Sequence, residues 1–448
     1  MRRLAITLAC LAGLAAVAPG GPAVAEAQTS CTVQGQNRYV RDVLFEFYYW
    51  NRELPNVNPN LFPTPQAYLD AARYKPLDTT YSFIANRAEQ DALFSSSQFV
   101  GLGLSTQFDG VEMRISQVFP DSPASEAGLV RGDRIVRING RTLAELSEAN
   151  ELADAFGANT VGVEIALEWR PVTPPPPPAP GQPPAPDTRK ATLVKRLVTI
   201  PTVSMTKLFE VDGRKVGYIV FRNFVEPSIA ALDDAFAALK DAGATELVLD
   251  LRYNGGGLVN VAQHLTSLIG GQRTAGKVLA QYVHNDRHPE LNSKITFDGQ
   301  PKSLELQRLV VITTRASASA SELVINGLRP YMPVVVVGDR TFGKPVGQYT
   351  FPFCDKVLNP VSFVLKNANG EANYFDGLPA TCPAGDTLDR QLGDLEEASL
   401  KEAFVYLRTG ACTPPPEPPS PTTPAPGVRA TRATIQPGDP WQQLLGAR

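Results

Sequence analysis

The sequence predicts a multidomain α/β protein: a small helical N-terminal domain, a strand-rich domain, and a mixed α/β core whose sheet is flanked by helices. Three observations predict this. The 448 residues exceed what one hydrophobic core comfortably serves. The apolar pattern passes from helical spacing to short alternating strands, then to wholly apolar strands alternating with helices. A proline-dominated stretch, residues 173–187, separates the second pattern from the third and reads as a semi-rigid linker.

Taken in order, Arg2 and Arg3 precede an apolar run over residues 4–18, and small residues then lead to Ala25 and Ala27. This arrangement is that of an export signal, residues 1–27. Its removal leaves no run of about twenty apolar residues that would cross a bilayer, so a periplasmic or extracellular location is expected. A formal charge of -3 without a Lys/Arg block gives no footprint for nucleic acid or an anionic membrane. Beyond the signal stand Cys31, Cys354, Cys382 and Cys412, an even set suited to an oxidising compartment. Of the three possible pairings the expectation is Cys354 with Cys382, tying down one loop region, and Cys31 with Cys412, joining the ends of the folded part. No C-x-x-C spacing occurs, so neither metal nor cofactor is expected.

Residues 28–98 carry Val40, Leu44, Phe47 and Tyr48 at helical spacing, with Pro55, Pro59, Pro63 and Pro65 between segments. Residues 99–170 predict strands over 111–118, 134–138 and 161–167, a short helix capped by Ser122 with Pro123 in its first turn, and a second helix over 147–156. After the linker, 171–190, the core is expected over 191–412, with strands at 216–221, 246–251, 309–313 and 334–337. Its helices are expected at 228–240, 258–269 and 320–328. The proline-rich tail, 413–448, is expected to be unstructured.

Three stretches of the core could carry chemistry. Asp250-Leu251-Arg252-Tyr253-Asn254-Gly255-Gly256-Gly257 ends a strand in polar residues and three glycines. Ser317-Ala318-Ser319-Ala320-Ser321-Glu322 enters a helix, where a serine hydroxyl lies near backbone N–H groups able to stabilise an oxyanion. Helix entry alone leaves Ser317, Ser319 and Ser321 equivalent, each also suited to capping. Gly338-Asp339-Arg340-Thr341-Phe342-Gly343-Lys344 has the glycine and lysine spacing of a phosphate-binding loop. Pro345, however, stands where that loop needs a hydroxyl, and residues 346–349 read as extended. Ser204-Met205-Thr206-Lys207 matches S-x-x-K spacing without its companion elements. A desolvated lysine beside a serine suffices for acyl transfer without histidine.

Two resemblances sharpen this reading. The 99–170 segment resembles a PDZ domain, with Gly101, Leu102, Gly103 and Leu104 matching the carboxylate-binding loop and residues 128–140, GLVRGDRIVRING, matching its most recognisable stretch. Amides of such a turn can hold a terminal carboxylate. The chain as a whole resembles the carboxyl-terminal processing proteases, serine proteases of the S41 type, in the order of its helical part, PDZ-like part and three core motifs. The resemblance implies Ser319 as nucleophile, Lys344 as base, Gln348 as its orienting partner, and the N–H of Ala320 with an N–H near Gly256 as oxyanion hole. It also implies protein or peptide substrates with flexible C-terminal tails. Tyr253 and Gly255 depart from the usual asparagine and proline, and Pro345 from a frequent glycine. A second reading is a non-catalytic secreted protein that binds peptides or hydrophobic ligands on the same scaffold.

Overall fold

The computed structural model describes residues 30–174 and 186–414. The expected signal, the centre of the linker and nearly all of the tail lie outside the described residues.

The first unit holds the helices Val33–Phe47, Pro65–Ala72 and Arg87–Ser96. Thr32, Thr64 and Asn86 cap them through side-chain oxygens that accept from Gly35, Ala67 and Glu89 amides. Their apolar faces do not close on themselves. Val40, Leu44, Tyr48 and Leu69 share one cluster with Phe351, Phe353, Leu358 and Val361, and the strand Phe83–Asn86 pairs antiparallel with Lys356–Asn359. The N-terminal unit is thus packed into the far end of the core.

The strand-rich unit is a sheet in the order Leu104–Phe108, Met113–Val118, Arg134–Ile138, Glu164–Arg170, Arg189–Val194. Ile115, Ile135, Leu167 and Trp169 fill its core. Ser122 and Pro123 open the helix Pro123–Glu126 as expected. The helix expected over 147–156 is not formed. The helix Leu143–Glu148 begins earlier, because Thr142 and Glu145 make a capping box, and it stops before Asn150, whose φ of 57° is left-handed. The strand Arg189–Val194, beyond the proline-rich stretch, is an edge strand of this sheet.

The core sheet runs Val203–Val211, Arg214–Phe221, Glu246–Asp250, Leu309–Thr313, Val334–Gly338, Cys382–Pro383. The first pair is antiparallel and the others are parallel. Ser228–Asp241, Val259–Gly270 and Ala320–Leu328 cover one face, and Ala398–Thr409 covers the other. This two-sided cover explains why the strands are apolar throughout. All three core motifs leave the carboxyl ends of neighbouring parallel strands, the edge where open α/β sheets carry their sites. A second, antiparallel sheet contains Val346–Gln348 and Val361–Lys366.

The cysteine pairing corrects the expectation. Cys31 is bonded to Cys354, and Cys382 to Cys412. Cys354 occupies the turn between Phe351–Phe353 and Lys356–Asn359, the hairpin against which the N-terminal helix packs. Cys382 lies on the edge strand beside the end of Ala398–Thr409. Packing sets which cysteines meet, and separation along the chain does not reveal it. Cys382, Cys412 and Glu402 cluster closely, but the two sulfurs are joined and Glu402 accepts from the Thr413 amide and hydroxyl. Among the described residues no helix is long and apolar enough to cross a membrane.

Peptide mapping without reduction should recover Cys31 joined to Cys354 and Cys382 joined to Cys412. Replacing Cys31 by Ser should lower stability by about 2–4 kcal/mol in chemical denaturation. Recovery of a Cys354–Cys382 peptide would overturn this connectivity.

Candidate active site

The three motifs meet at the carboxyl edge of the core sheet, and a single carboxylate joins two of them. Glu322 stands in the first turn of Ala320–Leu328 and is fully buried. Its Oε2 accepts from the N–H of Ser319 and the N–H of Lys344, both at 2.8 Å. Its Oε1 accepts from the Gly343 N–H at 2.7 Å and the Thr341 hydroxyl at 2.5 Å. Leu378 donates its own N–H to the Thr341 oxygen. Burial pushes the Glu322 carboxyl above its ordinary value while the four donors pull the other way. The three amides can only donate, so they favour the ionised form against the burial.

This arrangement separates the serines that the sequence left equivalent. Ser317 donates its hydroxyl to the Leu251 carbonyl at 2.7 Å and accepts from Thr314 N–H, while Ser321 donates to the Asn254 carbonyl at 2.9 Å. Both fasten the turn to the glycine-bearing loop. Ser319 Oγ is buried and has no hydrogen-bond partner among the described residues. Ser319 has φ 58° and ψ -113°, a conformation that an L-residue adopts only when its surroundings enforce it.

Lys344 is buried, and its Nζ donates to Gln348 Oε1 at 2.8 Å. The loop amides of Gly343 and Lys344 face Glu322, and Val346–Gln348 is a strand. The phosphate-loop reading is thereby set aside. Ser204 and Lys207 are likewise structural: Ser204 Oγ accepts from Arg222 Nε, and Lys207 Nζ donates to the Gly393 carbonyl.

Gly256 lies against the serine turn at φ 101°. A Cβ there would come within 2.8 Å of Ala320 N, Ala318 O and Ser319 Cβ. The side chain that glycine lacks therefore leaves a space at hydrogen-bonding distance from an amide that opens a helix and has no intrahelical partner. The N–H of Gly256 itself donates to Asn254 Oδ1 at 2.9 Å. Gly256 accordingly contributes room rather than its own donor.

Behind this loop lies an ion network. Arg252 pairs with Asp250 at 2.7 Å and with Glu397 at 2.7 Å, all three being buried. Burial alone would raise the Asp250 carboxyl, but the Arg252 guanidinium holds it below the usual carboxylate range. Tyr253, at φ 64°, occupies a conformation that asparagine tolerates better. Its hydroxyl donates to Asp386 and accepts from Arg131 at 2.6 Å, and Arg131 also pairs with Asp386. Arg131 belongs to the glycine-rich stretch of the strand-rich unit, so that unit is anchored on the loop beside Gly256.

Ser319, Ala320, Lys344, Gln348 and Gly256 are thus brought together. Gly101, Leu102, Gly103 and Leu104 stay in the strand-rich unit, buried, with the Leu102 and Gly103 carbonyls accepting from Ala124 and Phe119 amides. Sequence reasoning assigned no role to Glu322, although its spacing from Ser319 carried a capping-box signal. It also missed Tyr81, whose carbonyl accepts from Gln348 Nε2 and which nothing distinguishes among the N-terminal aromatics.

Gly256→Ala should slow acylation of Ser319 by a serine-reactive probe by about 100-fold, because the new Cβ adds backbone strain and fills the space before Ala320 N. Ser317→Ala and Ser321→Ala should each cost about 1 kcal/mol of stability and still label at Ser319. Parent-rate labelling of Gly256→Ala would contradict the assignment of that space.

Comparison with known proteins agrees with this geometry. Peptidase family S41 matches residues 215–370, the peptidase S41 N-terminal domain matches residues 35–83, and the PDZ domain matches residues 114–161. The chain is 28% identical over 278 residues to a chloroplastic C-terminal processing peptidase of Tetradesmus obliquus, covering 58% of this chain and 54% of that protein. It is 24% identical over 263 residues to a probable CtpA-like serine protease of Staphylococcus aureus strain N315, covering 59% and 48% respectively. The aligned part spans about half the length of these curated relatives. A Bacteroides fragilis crystal structure assigned as an S41 protease superposes with a TM-score of 0.67 at 27% identity, covering 83% of this chain and 97% of that one. The photosystem II D1 C-terminal processing protease shares the fold, with a TM-score of 0.50 at 21% identity over 82% of this chain and 96% of its own. Residues 215–370 thus match peptidase family S41, preceded by its N-terminal domain and a PDZ domain, which is the domain order of the carboxyl-terminal processing proteases.

Proposed function

We propose that this chain is an exported serine endopeptidase, periplasmic or extracellular, that cleaves flexible C-terminal regions of proteins by a Ser319–Lys344 acyl-transfer mechanism. The observation that carries the reading is the shared acceptor: the main chains of Ser319 and Lys344 are both hydrogen-bonded to Glu322 Oε2. That contact places their main-chain nitrogens within two hydrogen-bond lengths of each other. Two disulfides support the oxidising location.

Lys344, in its neutral form, takes the Ser319 proton as Oγ attacks the peptide carbonyl, and the carbonyl oxygen becomes an alkoxide facing the Ala320 N–H in the space beside Gly256. Collapse breaks the C–N bond, and protonated Lys344 gives its proton to the leaving amine. Water then attacks the acyl-enzyme, losing a proton to Lys344, and the serine leaves with that proton restored. Gln348 Oε1 accepts from Nζ in either protonation state and so keeps the amine aimed. The PDZ-like unit, with Gly101, Leu102, Gly103 and Leu104 as its carboxylate loop, presents the tail.

Ser319→Ala should abolish turnover of a flexible peptide while leaving the thermal transition unchanged. Lys344→Arg should be equally inactive, because a guanidinium stays protonated and cannot accept the serine proton. A substrate ending in a free carboxylate should be cut with higher kcat/KM than the same peptide amidated. Turnover by either variant within about threefold of the parent would contradict the mechanism, and equal treatment of acid and amide would remove the terminus-reading role.

A further inference from the structure

We propose that Tyr81, which belongs to the N-terminal unit, is a positioning residue for the base; this rests on the Ser319–Lys344 reading above. Tyr81 follows the helix Pro65–Ala72 and immediately precedes Ser82 and the strand Phe83–Asn86. Far along the chain from Lys344, it touches that residue's surroundings in three ways.

The first contact fixes Gln348. Its Nε2 donates to the carbonyl of Tyr81 and to the carbonyl of Asn359, the latter at 3.2 Å. Carbonyls only accept, so these partners set the orientation of the carboxamide and leave Oε1 toward Lys344 Nζ at 2.8 Å. The second contact fixes the residue before the base. Tyr81 donates its hydroxyl to the Gly343 carbonyl at 2.5 Å, while the Gly343 N–H is held by Glu322. The third is the ring face, whose centroid lies 6.0 Å from Lys344 Nζ, with Phe342 packed edge-on against the same ring at 6.2 Å. Burial, with Glu322 and Asp78 adding to it, drives the Tyr81 hydroxyl far above its ordinary value and keeps it a neutral donor.

Tyr81 can hold these groups because it is itself held. Ser82 donates its N–H at 2.9 Å and its hydroxyl at 2.5 Å to the buried carboxylate of Asp78, which also accepts from Tyr48 at 2.8 Å. The Ser82 oxygen accepts from Val361 N–H, and the next four residues pair with Lys356–Asn359. A residue that only filled the core would need neither the hydroxyl bond to Gly343 nor a main-chain bond to the amide that aims the base.

The test uses the full-length chain. Peptide kcat and KM are measured per site titrated with a serine-reactive acylating probe, alongside the thermal transition. Tyr81→Phe removes one hydrogen bond and should lower kcat about tenfold with KM within about threefold. Tyr81→Leu keeps the main-chain carbonyl but removes ring and hydroxyl, and should lower kcat by about 100-fold, Phe thus recovering part of what Leu loses. Parent kcat per titrated site in both variants, including losses that appear only as fewer titratable sites or a lower transition, would overturn the proposal. If Ser319→Ala retains turnover, the Ser319–Lys344 reading fails and takes this inference with it. If Ser319→Ala is inactive while both Tyr81 variants match the parent per site, only the role of Tyr81 fails.

Discussion

The site depends on one buried charge. Glu322 has no cationic side chain among its four hydrogen-bond partners and is stabilised by three main-chain amides and a hydroxyl. An isolated carboxylate would be costly in this position; saturated by charge-assisted hydrogen bonds it becomes a rigid junction. Two turns from neighbouring parallel strands converge on it. One carries Ser319 in a strained left-handed conformation, and the other carries Lys344. The strain at Ser319 persists because Glu322 holds its N–H while Ser317 and Ser321 tie the residues on either side to the 250–257 loop.

Around this junction the site is assembled from parts that sequence distance keeps far apart. Arg131 of the PDZ-like unit, Asp386 of the late core loop and Tyr253 of the glycine-bearing loop meet in one polar cluster, and Arg252 joins it through Asp386 at 3.4 Å. Removing one member of such a buried set leaves the others uncompensated, typically at about 3–5 kcal/mol. The N-terminal unit reaches the opposite side through Tyr81. The disulfide from Cys31 to Cys354 fastens that unit to the hairpin on which it packs.

Much of this was legible in the sequence where local patterns dominate. The apolar strands at 309–313 and 334–338 and the helix Ala320–Leu328 follow from composition and punctuation alone. The departure at Tyr253 is explained by Arg131 and Asp386, whose bonds to its hydroxyl help offset the cost of its positive φ. The helix expected over 147–156 failed because capping chemistry at Thr142 outweighed apolar periodicity. The cysteine pairing was illegible because which sulfurs meet is set by packing, not by separation along the chain. Which serine stands apart was illegible for the same reason: it emerges only when Ser317 and Ser321 are seen bonded to the 250–257 loop.

The Glu322 carboxylate, by accepting from both turns, holds the main chains of Ser319 and Lys344 together. Replacing it by glutamine preserves size but turns an NH2 toward at least one main-chain N–H, leaving that donor unpaired at about 1–3 kcal/mol. The direct measurement is peptide kcat/KM of Glu322→Gln beside the parent, with circular dichroism to confirm the fold. A loss of about 100-fold or more is expected, with the native spectrum retained. A folded Glu322→Gln chain within about threefold of the parent would contradict this role of Glu322.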